Sequence, residues 1–348
     1  MENNIRVLVV DDSAFMRKVI SDLLNKHPRI HVIATARNGE DALTKRKLNS
    51  PDVITLDVEM PIMDGLETLK ILMKENPIPV VMVSSTTKEG ARNTLFAMEF
   101  GAIDFVAKPS GAISLDIEKI EQQIIDKVIQ AAKAKLVRSE HEATYVVQSK
   151  KDNRIKKVRA KKIVAIGTST GGPRALKDVI PKIPSSIKAP ILIVQHMPPG
   201  FTLSLAERLN SLSEVIVKEA NHGEVLQNGT AYIAPGGYHL SVQQKGNAFL
   251  ANVDKQEPRR GHRPSVDILF ESIATLKDVE SIAVIMTGMG ADGTEGLIKL
   301  KESGSCYAIA ESEESCVVFG MPKAALRTKL VDEMVHIQQI SERIMNHF

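Results

Sequence analysis

Three residues in the second half of the chain, Ser169, His196 and Asp292, are of the types that together perform acyl transfer. A hydroxyl attacks, an imidazole takes its proton, and a carboxylate fixes the tautomer and stabilises the imidazolium, while N–H groups in glycine turns hold the oxyanion. Ser169 lies in Gly167-Thr-Ser-Thr-Gly171, the G-x-S-x-G spacing that lifts a serine out of a tight strand-to-helix turn. Taken alone, that stretch reads equally as a nucleophile elbow or as a glycine turn whose Ser or Thr caps the next helix. His196 alone reads as a satisfied strand-end histidine and Asp292 as a helix cap. His222, His239 and His262 compete for the role of base, and His262, in Arg-Arg-Gly-His-Arg-Pro, reads as a substrate contact or as plain surface.

The elements that must position these residues favour the joint reading. Ile163 to Ile166 is an apolar β-branched run ahead of Ser169, and Pro173 opens a helical pattern after it. Pro190-Ile-Leu-Ile-Val-Gln ends on His196, and Ser281 to Met286 runs into Thr-Gly288-Met-Gly290-Ala-Asp292-Gly293. Three parallel strands would therefore deliver the three side chains to one rim of a sheet. Strand signals at Thr230 to Ala234, Tyr238 to Val242 and Phe249 to Val253 predict a β excursion beside that rim. The chain order Ser, His, Asp differs from the Ser, Asp, His order of α/β-hydrolases, so that fold is not assigned. A rival reading starts from Gly288 to Gly293, literally G-x-G-x-x-G, with Glu311 near the distance of a ribose-binding acid. It leaves Ser169 and His196 without roles.

The first 110 residues repeat another pattern. Apolar runs end in Asp11-Asp12, in Asp57, in Ser84 and, across Ile103 to Val106, before Lys108-Pro109, a fifth spans Val32 to Ala36, and helical periodicity lies between them. Five strand–helix units predict a doubly wound parallel sheet whose ligand sits beyond the strand ends. Three carboxylates there form a hard oxygen site suited to Mg²⁺, and one of them could act as a nucleophile toward phosphate. A strand-end Asp is often only a helix cap, but five polar residues at successive strand ends exceed what capping needs.

On Val-Val-Asp11-Asp12-Ser, Leu-Asp57-Val-Glu-Met-Pro61-Ile-Met-Asp-Gly65, Met-Val-Ser84-Ser and Lys108-Pro109, residues 4 to 120 resemble the receiver domain of bacterial response regulators. The resemblance implies that Asp57 accepts a phosphoryl group from a chemotaxis histidine kinase. It further implies that Asp11, Asp12, Asp57 and the Glu59 backbone carbonyl hold Mg²⁺, that Ser84 and Lys108 sense the phosphoryl oxygens, and that Phe105 is the switch aromatic. On Gly-Thr-Ser169-Thr-Gly-Gly-Pro, Ile-Val-Gln-His196-Met-Pro, Arg-Pro-Ser-Val-Asp267, Met-Thr-Gly-Met289-Gly-Ala-Asp292-Gly and Phe-Gly-Met-Pro322, residues 160 to 346 are similar to the catalytic domain of the chemotaxis protein-glutamate methylesterases. That likeness implies hydrolysis of glutamyl methyl esters, and deamidation of glutamines, on methyl-accepting chemoreceptor helices. It implies a triad of Ser169, His196 and Asp292, an oxyanion hole of the Thr170 and Met289 backbone N–H groups, no cofactor for ester hydrolysis, and a receiver that covers the esterase rim until Asp57 is phosphorylated. The competing expectation is a phosphorylation-dependent docking protein with an inactive esterase-like domain.

Bulk properties agree with these readings. A chain of 348 residues, 43% hydrophobic and 25% charged, is long enough for two cored domains. The net charge of +3 and the absence of Trp argue against a nucleic-acid partner. Two cysteines, Cys306 and Cys316, imply no disulfide framework and fit a reducing, cytoplasmic setting, with no direct membrane insertion. The expected architecture is α/β throughout: a flavodoxin-like receiver with a five-stranded parallel sheet over 1–122, an extended helix and linker over 123–159, and a doubly wound, mainly parallel esterase domain with a β excursion over 160–348. The run Lys45-Arg46-Lys47 reads as a solvated face, and Val146-Val147 lie in the linker.

Overall fold

The structure is a computed structural model that describes residues 4–108, 117–134 and 161–348. Pro109, Val146-Val147 and the expected linker beyond residue 134 lie outside the described residues.

The N-terminal sheet contains β1 (Ile5–Val10), β2 (Ile30–Ala36), β3 (Val53–Asp57), β4 (Val80–Ser84) and β5 (Asp104–Ala107), all parallel, in the order β2-β1-β3-β4-β5. β1, β3 and β4 are covered on both faces, which is why they read as continuous apolar runs rather than alternating ones. The intervening helices are α1 (Ala14–Asn25), α2 (Gly39–Asn49), α3 (Gly65–Glu75) and α4 (Lys88–Glu99). Each begins on a side chain that accepts a first-turn N–H: Ser13, Asn38, Asp64 and Thr87. The last helix, α5 (Ile117–Lys133), passes unbroken through the boundary expected at residue 122. It does so because Ile124, Ile125, Val128 and Ala131 all bury into the receiver core.

The C-terminal sheet is built from β6 (Lys161–Thr168), β7 (Ile191–Gln195), β8 (Ile216–Glu219), β9 (Thr230–Ile233), β12 (Val279–Ile285), β13 (Cys306–Glu311) and β14 (Glu333–Val335). Its order is β14-β13-β12-β6-β7-β9-β8, and every pairing is parallel. The excursion is a separate antiparallel hairpin of β10 (His239–Lys245) and β11 (Ala248–Asp254). Helices α6 (Gly172–Val179), α7 (Phe201–Asn210), α8 (Val266–Ala274), α9 (Thr294–Glu302), α10 (Met321–Arg327) and α11 (Ile337–Met345) cover the faces. β14 was not expected from the sequence: it is a three-residue edge strand, partly exposed, with no apolar run to announce it.

The helices that follow β6 and β12 differ from those of the receiver. α6 and α9 start from Gly171 (φ +78°) and Gly293 (φ +92°), with no side-chain cap on their first N–H groups. A left-handed glycine lets the chain turn sharply off the strand and leaves the amides of the rim open to an anion. Among the described residues, no helix is long and apolar enough to cross a membrane.

Candidate functional site

β12, β6 and β7 are adjacent, and the loops that leave them carry Asp292, Ser169 and His196. The ladder extends past the strands: Met286 N donates to Gly167 O (2.9 Å), Ser169 N to Thr287 O (3.0 Å) and His196 N to Thr168 O (3.2 Å). The nucleophile candidate and the base candidate are therefore held by backbone on either side of β6. Gln195 adds a side-chain tie, its Nε2 donating to Ser169 O (2.9 Å) and to His196 O (3.3 Å). Nothing in the sequence around Gln195 signals that role.

His196 Nε2 lies 2.7 Å from Asp292 Oδ2. This is the reverse of the arrangement in which Nδ1 meets the carboxylate, so here Nδ1 is the ring nitrogen turned away from Asp292. His196 Nδ1 is buried and has no hydrogen-bond partner among the described residues, so no bond joins it to the Ser169 hydroxyl here. Such contacts are often long before substrate binds.

Asp292 is the most heavily solvated carboxylate of the rim, although its solvent is protein. Besides His196, it accepts Ser265 Oγ (2.8 Å), Val266 N (2.7 Å), Asp267 N (3.0 Å) and Gly293 N (3.1 Å). Val266 and Asp267 are the first two residues of α8, so Asp292 caps that helix from another loop and sits at the positive end of its dipole. The cap reading and the triad reading thus describe one residue. Burial alone would raise the Asp292 pKa, but His196 and the α8 N–H groups overcome it and hold the carboxyl well below the usual range. Neighbouring Asp267 moves the other way, pushed up to about 6 by burial and by the Asp292 charge.

The glycines have separate reasons. A Cβ on Gly167 would meet Val266 at 2.4 Å, and one on Gly288 would meet Ser169 Cβ at 2.8 Å. Ser169 is not among the residues with positive φ, so the G-x-S-x-G spacing here serves close packing rather than a strained nucleophile. No backbone carbonyl of the described residues accepts the N–H of Thr170 or of Met289, the two groups expected to face the oxyanion. Glu311, required as a ribose ligand by the dinucleotide reading, is fully buried and accepts Thr287 N (2.8 Å) and Ser315 Oγ (2.9 Å). It is structural.

In the receiver, Asp11, Asp12 and Asp57 each offer a carboxylate oxygen within 4.8 Å of the others. Lys108 Nζ lies 2.6 Å from Asp57 Oδ2 and 3.0 Å from Asp11 Oδ2, so one cation is shared between two buried carboxylates. An all-oxygen, excess-negative pocket of this kind fits a small hard cation. Burial, with repulsion from Asp11, pushes the Asp57 pKa up to about 6 against the pull of Lys108. Glu59 reaches Asp57 through its backbone N–H (3.4 Å). Ser84 is buried with its hydroxyl on Gly90 O (3.1 Å), so its side chain is engaged by the start of α4. Phe105 is buried and stacks on Phe201 of α7, with ring centroids 4.5 Å apart.

That stack is one of several contacts between the two domains. Thr170, next to Ser169, donates to Asp104 Oδ2 (2.6 Å) and lies 2.9 Å from the Gln130 side-chain amide. Glu99 of α4 receives Arg208 through Nε (2.7 Å) and a second nitrogen (2.9 Å), and Lys177 (2.9 Å). The sequence offered no sign of these partners, because none of them shares a motif with the residue it meets.

A parallel receiver sheet with an acidic pocket, packed on a second α/β domain with a hydrolase-like rim, is the layout of a response regulator with an enzymatic output domain. Comparison with known proteins agrees: residues 7–120 match the response regulator receiver domain, and residues 164–344 match the CheB methylesterase domain. The chain is 60% identical over 345 residues to a protein-glutamate methylesterase/protein-glutamine glutaminase of Halalkalibacterium halodurans, covering 99% of each. It is 51% identical to the protein of that name from Bacillus subtilis, covering 98% of this chain and 97% of that one. The crystal structure of the Thermotoga maritima CheB methylesterase catalytic domain superposes with a TM-score of 0.53 at 46% identity, covering 55% of this chain and all of that one. The chain belongs to the CheB methylesterase family.

Proposed function

We propose that the protein is a phosphorylation-regulated serine hydrolase that demethylates glutamyl methyl esters, and deamidates glutamines, on the cytoplasmic helices of methyl-accepting chemoreceptors. The observation that carries the reading is the pairing of half-buried His196 with buried Asp292 beside the Ser169 turn, with Asp292 saturated by donors that keep it ionised. In this mechanism Ser169 Oγ attacks the ester carbonyl while His196 Nδ1 takes its proton. The Thr170 and Met289 N–H groups receive the oxyanion. The tetrahedral adduct then collapses, breaking the bond to methoxide, which leaves as methanol with the proton from His196. Water, deprotonated by the same nitrogen, attacks the acyl carbon; the bond to Ser169 Oγ breaks, His196 returns the proton to Oγ, and the glutamate carboxylate is released.

On the regulatory side, Asp57 accepts a phosphoryl group from a chemotaxis histidine kinase. Asp11, Asp12, Asp57 and the Glu59 carbonyl would hold Mg²⁺, which supplies positive charge against the phosphoryl oxygens. Lys108 contributes the protein's own cation, and Ser84 turns toward the phosphoryl group when it arrives. Before phosphorylation, Asp104, Gln130 and Phe105 rest on Thr170 and Phe201, which supports a receiver that restrains the rim. Phosphorylation then favours the arrangement in which these contacts are open. The receiver, the connection and the catalytic domain are assigned to 1–122, 123–159 and 160–348, with α5 spanning the first junction. Two free thiols, Cys306 and Cys316, are in keeping with a cytoplasmic location.

The test is methanol release from methylated receptor membranes, with and without a small phosphodonor. Ser169→Ala should lower release about 10³-fold or more while Asp57 still takes phosphate. If the parent protein releases no methanol under either condition, the docking-protein reading replaces this one.

A further inference from the structure

His262 lies face to face with His196, with ring centroids 4.0 Å apart and an interplanar angle of 6°. Two glycine-like turn residues put it there. Arg260 (φ +51°) and Gly261 (φ +82°) form a tight reversal closed by Arg259 N to His262 O (3.0 Å) and His262 N to Arg259 O (2.9 Å). The reversal is anchored to neighbouring helices, since Arg259 pairs with Glu271 (3.2 Å) and Glu295 (2.9 Å), and Arg260 pairs with Glu295. A few residues on, Ser265 and the first two residues of α8, Val266 and Asp267, donate to the Asp292 carboxylate. One segment, 259–267, therefore grips both members of the His–Asp pair by independent means.

The two grips control different freedoms. The bond from His196 Nε2 to Asp292 fixes one point of the imidazole but permits the ring to swing about that contact. A flat ring against its face removes the swing and so sets where the Nδ1 lone pair points. Among the described residues the ring nitrogens of His262 have no hydrogen-bond partner, so its contact with His196 is through the ring face. Burial, followed by the proximity of His196, lowers the His262 pKa to about 4 against the attraction of Asp292. His262 stays neutral in working buffers, and a neutral π face accepts the cation that forms on His196 rather than repelling it.

We infer that His262 is a positioning residue for hydrolysis, holding the plane of the His196 ring so that Nδ1 addresses the Ser169 hydroxyl. The inference rests on His196 being the base. It is tested with full-length, phosphodonor-activated protein on methylated receptor membranes, measuring methanol release over a range of receptor concentrations. His262→Ala is expected to lower kcat about 10- to 100-fold, the usual effect of a misplaced catalytic group, with KM changed less than twofold. His262→Phe keeps a flat ring of similar size and is expected to recover kcat to within a few-fold of the parent. Phosphorylation of Asp57 and an unchanged melting temperature report that each variant is folded. A His262→Ala enzyme with raised KM and normal kcat would make the residue a substrate contact and overturn the inference. So would a Phe variant as impaired as the Ala variant, or an Ala variant like the parent. His196→Ala is run alongside: retained activity there removes the base assignment itself, whereas an inactive His196→Ala beside a normal His262→Ala removes only the role of His262.

Discussion

Asp57 and Asp292 occupy equivalent places, buried at or just beyond the carboxyl ends of strands in two parallel sheets, and are tuned in opposite directions. Asp292 receives three backbone N–H groups, a hydroxyl and an imidazole, and is kept ionised well below the ordinary carboxylate range. Asp57 has Lys108, one distant N–H and a second carboxylate, Asp11, for neighbours, and is pushed up to about 6 by burial and that repulsion. The difference teaches what each site is built to receive. On the proposed function, Asp292 answers a transient imidazolium and needs a permanent charge, which its complete set of donors provides. On the same proposal, Asp57 takes a phosphoryl group, and its shortage of positive charge suits a site that is completed by incoming ligands. The largest test of this contrast is a matched pair. Asp292→Asn should cost about 10³- to 10⁴-fold in kcat through loss of the tautomer and the charge. Asp57→Asn should leave phosphodonor-independent hydrolysis within about twofold and abolish stimulation, an effect set by a lost switch rather than lost chemistry. Equal losses of basal activity in the two variants would erase the distinction.

A third buried acid sharpens it. Glu311 ends β13 at the same rim, accepts Thr287 N and Ser315 Oγ, and among the described residues has neutral donors rather than a salt-bridge partner. Burial pushes it up to about 6 despite those donors. Because its folded pKa lies above the ordinary value of 4.5, its contribution to stability is fully present below that value and is lost as pH rises through 6. Glu311→Gln retains the shape and removes the titration. The variant should therefore gain on the order of 2 kcal/mol relative to the parent between pH 4 and pH 7.5, read from urea unfolding of the catalytic domain. A difference between the proteins that does not change with pH would mean that Glu311 is ionised in the fold at no cost, as Asp292 is.

These contrasts also mark how far the sequence could be read. Both sheets were legible because parallel strands buried on two faces leave unbroken apolar runs, and the residues just after them fall at one rim. β14 was not, since Glu333-Met-Val335 at a sheet edge needs no such run. Ser169, His196 and Asp292 could be proposed together because each follows its own strand. What tunes them could not. Asp292 draws its N–H groups from α8, about 25 residues away in sequence, and His196 is steadied by a histidine that looks like surface in Arg-Arg-Gly-His-Arg-Pro. Thr170 was expected to contribute a backbone N–H, whereas its hydroxyl is held by Asp104 and Gln130 of the receiver. Backbone periodicity reports which face is buried, and long-range polar pairing leaves no period to find.

The smallest predicted effect concerns how the two unequal sites communicate. Glu99, held below the usual carboxylate range by Arg208 and Lys177 against the effect of burial, ties α4 of the receiver to α7 and α6. Arg208 engages it with two nitrogens and also lies over the Phe96 ring, 5.2 Å from its centroid, whereas Lys177 makes a single contact and is more exposed. An exposed single ion pair is worth about 0.5–1 kcal/mol, so Lys177→Met should raise basal methanol release by roughly two- to fivefold if these contacts restrain the rim. Arg208→Met should raise it further, because the fork and the ring contact are lost together. The fully phosphorylated rate should stay near that of the parent in both, so the fold-stimulation shrinks as the basal rate climbs. Adding salt to about 0.5 M should narrow the gap between the parent and Lys177→Met more than that between the parent and Arg208→Met, since screening weakens exposed pairs first. If the lysine variant instead releases the rim as fully as the arginine variant, the bidentate contact is not what holds the unphosphorylated receiver in place.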